Sequence, residues 1–196
     1  MHILWDFDGT IMDTYPAYAR TFKAALDTPY TEAEVMALLK VTFGHAFSTM
    51  GLTREQIDHL RFLERQLKPE EFKPFPHIEN VLAAADINVI MTHKYRAGAE
   101  AILRAAGLRE YFTEIVAVED GFPLKPDPAS YRYLHEKYGL DLVIGDRELD
   151  ILPGKSIGVR TCLFRNHTPG ADYYVDSYDT FFDIVDIEHH KITGRK

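Results

Sequence analysis

The chain has 196 residues, 46% of them hydrophobic and 27% charged, which suits a globular protein with a well-buried core, as one large domain or one domain with an insertion. Acidic residues outnumber basic ones by 30 to 22, the net charge is −8, and no broad basic patch is evident, so nucleic acid is not an expected partner. No run approaches the ~18 apolar residues of a membrane span, no basic and apolar leader precedes the first strand, and a lone Cys162 forms no intrachain disulfide; a cytoplasmic protein with no membrane partner is expected.

His2 to Trp5 is a short apolar run without helical period, and Asp6-Phe7-Asp8-Gly9-Thr10 follows it. This predicts a buried strand with two acids at its carboxyl end. Two ionised carboxylates this close repel, and a hard divalent cation with oxygen ligands relieves them. One Asp then stays an unprotonated nucleophile while its neighbour handles the proton. Gly9 suits a tight turn where phosphate meets backbone, and Thr10 adds a hydroxyl. Asp-Gly also marks hairpin turns, and alone it leaves that reading open. A calcium loop drops out, because its sixth and twelfth positions need Gly and Glu. Ile11 and Ala17 stand there.

Next comes a predicted helix from about Tyr15 to Asp27, with Asp13 or Thr14 as N-cap and Ala19, Phe22, Ala25 and Leu26 on one face. Thr31 with Glu34 and Thr53 with Gln56 are capping-box patterns opening helices to Leu39 and about Leu67. The Lys40–His45 stretch, with Gly44, interrupts the helical pattern, and no strand is convincing from Tyr15 to about Lys73. Pro74 and Pro76 then break the chain. Beyond them helices alternate with strands: helix His77–Ala85, strand Ile87–Met91, helix Ala97–Ala106, strand Glu114–Val118, helix Pro128–Tyr138, strand Leu142–Ile144, helix Glu148–Ser156 and strand Val159–Phe164. That order implies right-handed crossovers and a parallel sheet covered on both faces. Ligands of such sheets sit at the carboxyl ends of the strands. Cys162 falls in an apolar strand and reads as a buried, inert thiol. The tail after Ile187 is polar enough to be poorly ordered, and its His189-His190 pair reads as solvated.

Four polar clusters fall at those strand ends and in the loop between them: Asp6 with Asp8, Thr92 in Thr92-His93-Lys94, Lys125 in Leu124-Lys125-Pro126-Asp127-Pro128, and Asp146 with Asp150. In this order they resemble the motifs of the haloacid dehalogenase superfamily, and within it the phosphoglycolate-phosphatase-like branch. The resemblance implies an α/β fold, a Rossmann-like parallel sheet over residues 1–14 and 75–196 with a small helical cap inserted at 15–74. It implies an Mg²⁺-dependent phosphatase that hydrolyses a small phosphomonoester through an aspartyl phosphate on Asp6, with Asp8 as acid and then base. Thr92 would bind phosphate together with Gly9 and Thr10. His93 stands where the family usually has Asn, which keeps the backbone N–H there. Lys125 would offset anionic charge. Mg²⁺ would be held by Asp6, the Asp8 carbonyl and Asp146, with Asp150 a ligand through water or a partner for Lys125.

Arg20, Lys40 and His45 are the cap residues expected to face substrate, and Tyr15, Pro16, Pro74 and Pro76 the expected hinges. The partner implied is a small phosphorylated metabolite, the chain acting as a monomer or homodimer. A sugar-phosphate phosphomutase of the same superfamily and a non-catalytic binding protein that keeps the fold are the alternatives.

Overall fold

The computed structural model describes residues 1–186; the polar tail after Ile187, with His189 and His190, lies outside the described residues. In chain order the strands are β1 (His2–Trp5), β2 (Met12–Asp13), β3 (Lys73–Pro74), β4 (Ile87–Met91), β5 (Phe112–Val116), β6 (Leu142–Gly145), β7 (Arg160–Phe164) and β8 (Tyr173–Val175). The helices are α1 (Tyr15–Ala25), α2 (Glu32–Val41), α3 (Phe43–Thr49), α4 (Arg54–Gln66), α5 (Ile78–Ala84), α6 (Arg96–Ala105), α7 (Ala129–Tyr138), α8 (Glu148–Ser156) and α9 (Phe181–Ile184). No helix among the described residues is long and apolar enough to cross a membrane.

Six strands form one parallel sheet in the order β5-β4-β1-β6-β7-β8. Strand β1 therefore lies where the winding reverses, with β4 on one side and β6 on the other, and a crevice opens beyond its carboxyl end. Its residues Ile3, Leu4 and Trp5 are fully buried, as expected of an apolar strand covered on both faces. The Trp5 indole donates to Asn88 Oδ1 at 2.8 Å, and Asn88 donates on to the Leu82 carbonyl at 2.9 Å, so the one polar side chain inside β4 is satisfied. The ladder runs one residue past each strand: Asp6 N–H donates to Ile144 at 2.9 Å and Thr92 N–H to Val116 at 2.9 Å. Those two bonds fix the first site residue on each strand.

The chain leaves the sheet through β2 and returns through β3, which pair antiparallel. Between them stand only α1 to α4 and a short 3-10 turn at Pro69–Glu71. Both capping boxes form as read, at Thr31/Glu34 and Thr53/Gln56. Thr14 takes the N-cap place of α1 but makes no side-chain cap bond. Phe22, Phe43 and Phe47 pack against one another, and Tyr18 joins Phe43 to Phe72.

Several elements differ from expectation, among them the short β2, β3 and α9, which were not expected. The 40–45 stretch is helical except at Thr42, which ends α2 and caps α3 by accepting from the His45 N–H at 2.9 Å. Strand β5 begins and ends two residues early, because Asp120 accepts from the Ala117 N–H at 2.8 Å and turns the chain there. Strand β8 was not expected at all; its three residues are ordered by pairing with β7. Cys162 is buried on β7, and burial pushes its thiol up to about 12.

Candidate active site

The loop after β1 is a tight turn in which Ile11 and Met12 both donate to the Phe7 carbonyl at 3.1 Å and Gly9 donates to Met12 at 2.8 Å. Gly9 has φ +79°, and a Cβ there would stand 2.4 Å from Asp146 Oδ2 and from the Tyr15 ring. Only glycine fits both the turn and the approach of Asp146. Gly145 is forced in the same way, since its Cβ would lie 2.3 Å from that of Asp150. The loop is tied to the C-terminal part of the fold by Tyr178, whose buried hydroxyl donates to the Thr10 carbonyl at 2.9 Å.

These constraints bring Asp6, Asp146 and Asp150 together, with carboxylate oxygens all within 4.8 Å of one another. Lys125, 1% exposed at its side chain, reaches Asp6 Oδ1 at 2.5 Å and Asp150 Oδ1 at 3.0 Å. Arg147 holds the other Asp150 oxygen at 3.3 Å and lies 3.6 Å from Asp146 Oδ1. The charges divide unequally as a result. Burial opposes ionisation of Asp150, but Lys125 and Arg147 outweigh it and hold its carboxyl below the usual range. Burial and then the Asp150 charge push Asp6 up to about 6. Asp146 is held well above the usual range by burial and by Asp150 and Asp6, and its Oδ1 has no hydrogen-bond partner.

Asp8 is paired with a different cation. Lys94 Nζ lies 3.1 Å from Asp8 Oδ1 and donates to the Tyr18 hydroxyl, inside a cage of the Tyr18, Phe7 and Phe72 rings at 4.9, 5.8 and 6.0 Å. Burial lowers the Lys94 pKa, but Asp8 and Tyr18 reverse this and hold it above the ordinary range. The Thr92 hydroxyl oxygen accepts from the Lys94 N–H at 3.1 Å, which leaves its own proton free to donate outward. The His93 side chain is exposed and its Nε2 accepts from the Lys125 N–H at 3.0 Å. That bond requires a neutral imidazole, and loss of solvent, with the Lys125 and Arg147 cations, holds its pKa low. Thr10, expected to face phosphate, is fully buried and donates to Asp6 Oδ2 at 3.3 Å.

The larger of two adjoining cavities, about 1160 Å³, opens over Asp6, Asp8, Thr92, His93 and Lys125 and runs under α3 and α4. Lys40 lines the other cavity and lies over the Tyr15 ring at 5.9 Å. Arg20 and His45 are exposed and line neither. Sequence reasoning missed Lys94 and Arg147 as site residues. Each follows a named site residue by one or two positions at a strand end, and that placement is the signal that could have found them.

The carboxylate set fits a hard divalent cation, because Asp146 keeps a buried oxygen without a hydrogen bond and two of three acids are held above their usual range. A divalent cation added at about a hundred times its Kd should stabilise the protein by about 2.7 kcal/mol, a rise in Tm of roughly 5–10 °C for a chain of this length. Thermal unfolding of Asp146→Asn should show little of that rise. An equal rise in the variant would remove Asp146 from the cation site.

Residues 3–164 match the family model described as haloacid dehalogenase-like hydrolase. The chain is 27% identical to N-acetylmuramic acid 6-phosphate phosphatase of Pseudomonas aeruginosa, over 94% of each chain. It is 25% identical to pyrophosphatase PpaX of Bacillus velezensis, over 81% of this chain and 80% of that one. A solved structure from Haemophilus somnus, described as a predicted phosphoglycolate phosphatase, superposes with a TM-score of 0.77 at 23% identity, covering 93% of this chain and 96% of that chain.

Proposed function

The chain belongs to the haloacid dehalogenase-like hydrolase family, and from that premise we propose that it is a phosphatase of small phosphorylated metabolites in which Asp6 is the nucleophile and Asp8 the acid and base. The observation that carries this reading is that the two acids are not equivalent. Asp6 is buried against Lys125 beside two further carboxylates, whereas Asp8 is partly open to the cavity and paired with its own lysine. Two carboxyl groups given different surroundings two residues apart are suited to different tasks.

In the proposed reaction an Asp6 oxygen attacks phosphorus and the bond from phosphorus to the leaving oxygen breaks, while Asp8 gives that oxygen a proton. Water then attacks phosphorus, Asp8 takes a proton from it, and the acyl phosphate bond breaks to return Asp6 and release phosphate. Thr92 donates to a phosphate oxygen, and Lys125 holds the nucleophile in place and offsets its charge in both steps. Asp6, Asp146 and the Asp8 carbonyl would hold Mg²⁺, with Asp150 keeping Lys125 and Arg147 in position. When bound, the cation would supply charge stabilisation on the transferring phosphoryl group. Lys94, 3.1 Å from Asp8 Oδ1, holds the Asp8 carboxyl in place beside the leaving oxygen. The segment 15–74 acts as the cap, closing the site from water.

Names of the relatives support the class, since they act on a sugar phosphate and on pyrophosphate. The test is phosphate release from a panel of phosphomonoesters with Mg²⁺ and with chelator. Release that depends on the metal is expected for at least one ester. Intact esters throughout, from a folded protein, would overturn the assignment.

A further inference from the structure

The larger cavity has two unlike walls. The sheet side carries the reacting groups, and the opposite side is made by α3 and α4, with Arg61, Glu64 and Arg65 of α4 all lining it. Those three are spaced i, i+3 and i+4, so they share one helix face. Among the described residues neither guanidinium has an ion-pair or hydrogen-bond partner, although Arg54 earlier on the same helix pairs with Asp58 at 3.4 Å. Arg61 instead lies over the Phe47 ring at 6.0 Å, which fixes its direction. Between them Glu64 has a buried Oε1 without a hydrogen bond, and burial pushes its carboxyl up to about 7 against the pull of Lys94, Arg61 and Arg65. The two guanidinium groups are exposed on the cavity wall and Glu64 is half-buried between them, and charged groups left open on such a wall are ones a ligand can complete.

Size points the same way. At about 1160 Å³ the cavity is at or above the range of ordinary small-molecule sites. A cavity of that size has room for a ligand larger than a two-carbon acid or a pyrophosphate.

Resting on the phosphatase reading, we propose that the substrate is a phosphomonoester of a hydroxylated carbon skeleton with a second anionic group at its far end. Arg61 and Arg65 pair with that anion and Glu64 hydrogen-bonds a hydroxyl between the two ends. The three residues determine specificity and take no part in the chemical step. Paired guanidinium and carboxylate or phosphate groups make strong charge-assisted bonds, and each is expected to separate otherwise matched esters by roughly tenfold or more.

The experiment compares 6-phosphogluconate with glucitol 6-phosphate, which share an open six-carbon chain and differ at its far end, carboxylate against hydroxymethyl. The first readout is the ratio of kcat/KM for the pair in wild type and in Arg61→Ala/Arg65→Ala. A ratio of roughly ten or more favouring the acid is expected in wild type, arising in KM, and the ratio should collapse towards one in the double variant. The second readout is calorimetric binding of the same two esters to Asp6→Asn protein with and without the arginine changes. A binding preference lost with the arginines supports the inference even where no ester is hydrolysed, which would be a failure of the phosphatase reading alone. Equal treatment of the two esters in both readouts, or a preference that survives the double variant, overturns it.

Discussion

Asp6→Asn should lose phosphatase activity on the order of 10⁴-fold or more, in kcat, while the protein stays folded. Removing a nucleophile removes the covalent route, and the neighbouring groups that act with it are stranded. Asparagine keeps the shape and one oxygen near Lys125, whose second partner at 3.0 Å, Asp150, is untouched. The same variant has a stability signature of definite sign. The Asp6 carboxyl is raised from its ordinary 3.8 to about 6, first by burial and then by the Asp150 charge, so between those values the folded chain binds more proton than the unfolded one. Wild-type stability must fall as pH rises through that window, relative to a variant with nothing to titrate there. Denaturant midpoints in chelator at pH 4 and pH 7 measure it, and a gap between the two proteins that moves the other way would contradict the burial of Asp6 as an unneutralised acid.

Lys125→Met should be the most damaging single change to stability. Its ammonium is 1% exposed and lies between two buried carboxylates. Taking the cation away leaves both acids to Arg147 alone, a loss of about 3–5 kcal/mol by the behaviour of broken buried pairs, or roughly 6–20 °C in Tm at this chain length. Activity should fall about 10²–10³-fold, as when one preorganised donor is taken from a developing anion. Adding Asp150→Asn separates the two effects, because it removes one of the stranded charges. The double variant is expected to regain part of the stability and none of the turnover. Regained turnover would mean that Lys125 serves the fold only.

Much of this was legible in the chain, and the limits have a physical pattern. Strand β1 and its two acids read directly, since an apolar run ending in charge needs no partner to interpret. Thr92, Lys125 and Asp146 followed from their places at or between strand ends. What the sequence could not show depends on contacts far apart in the chain. Strand β8 exists only as a neighbour of β7, and three residues carry no period of their own. The pairing of Asp8 with Lys94 joins residues from different strand ends, and the cage around Lys94 adds Tyr18 and Phe72 from the helical insert. Arg20, Lys40 and His45 do not line the larger cavity, because a break in helical pattern gives no register between the insert and the sheet. The larger cavity is lined by another part of the insert, on α3 and α4.

The central claim is a covalent bond between phosphorus and Asp6. Acid quenching during turnover of 6-phosphogluconate or p-nitrophenyl phosphate, followed by peptide mass spectrometry, reads it directly. One phosphoryl group on the peptide containing Asp6 in wild type, and none in Asp6→Asn, is the predicted result. Steady hydrolysis with that peptide unmodified, and with borohydride failing to reduce residue 6, would contradict the account and leave direct attack by water as the mechanism.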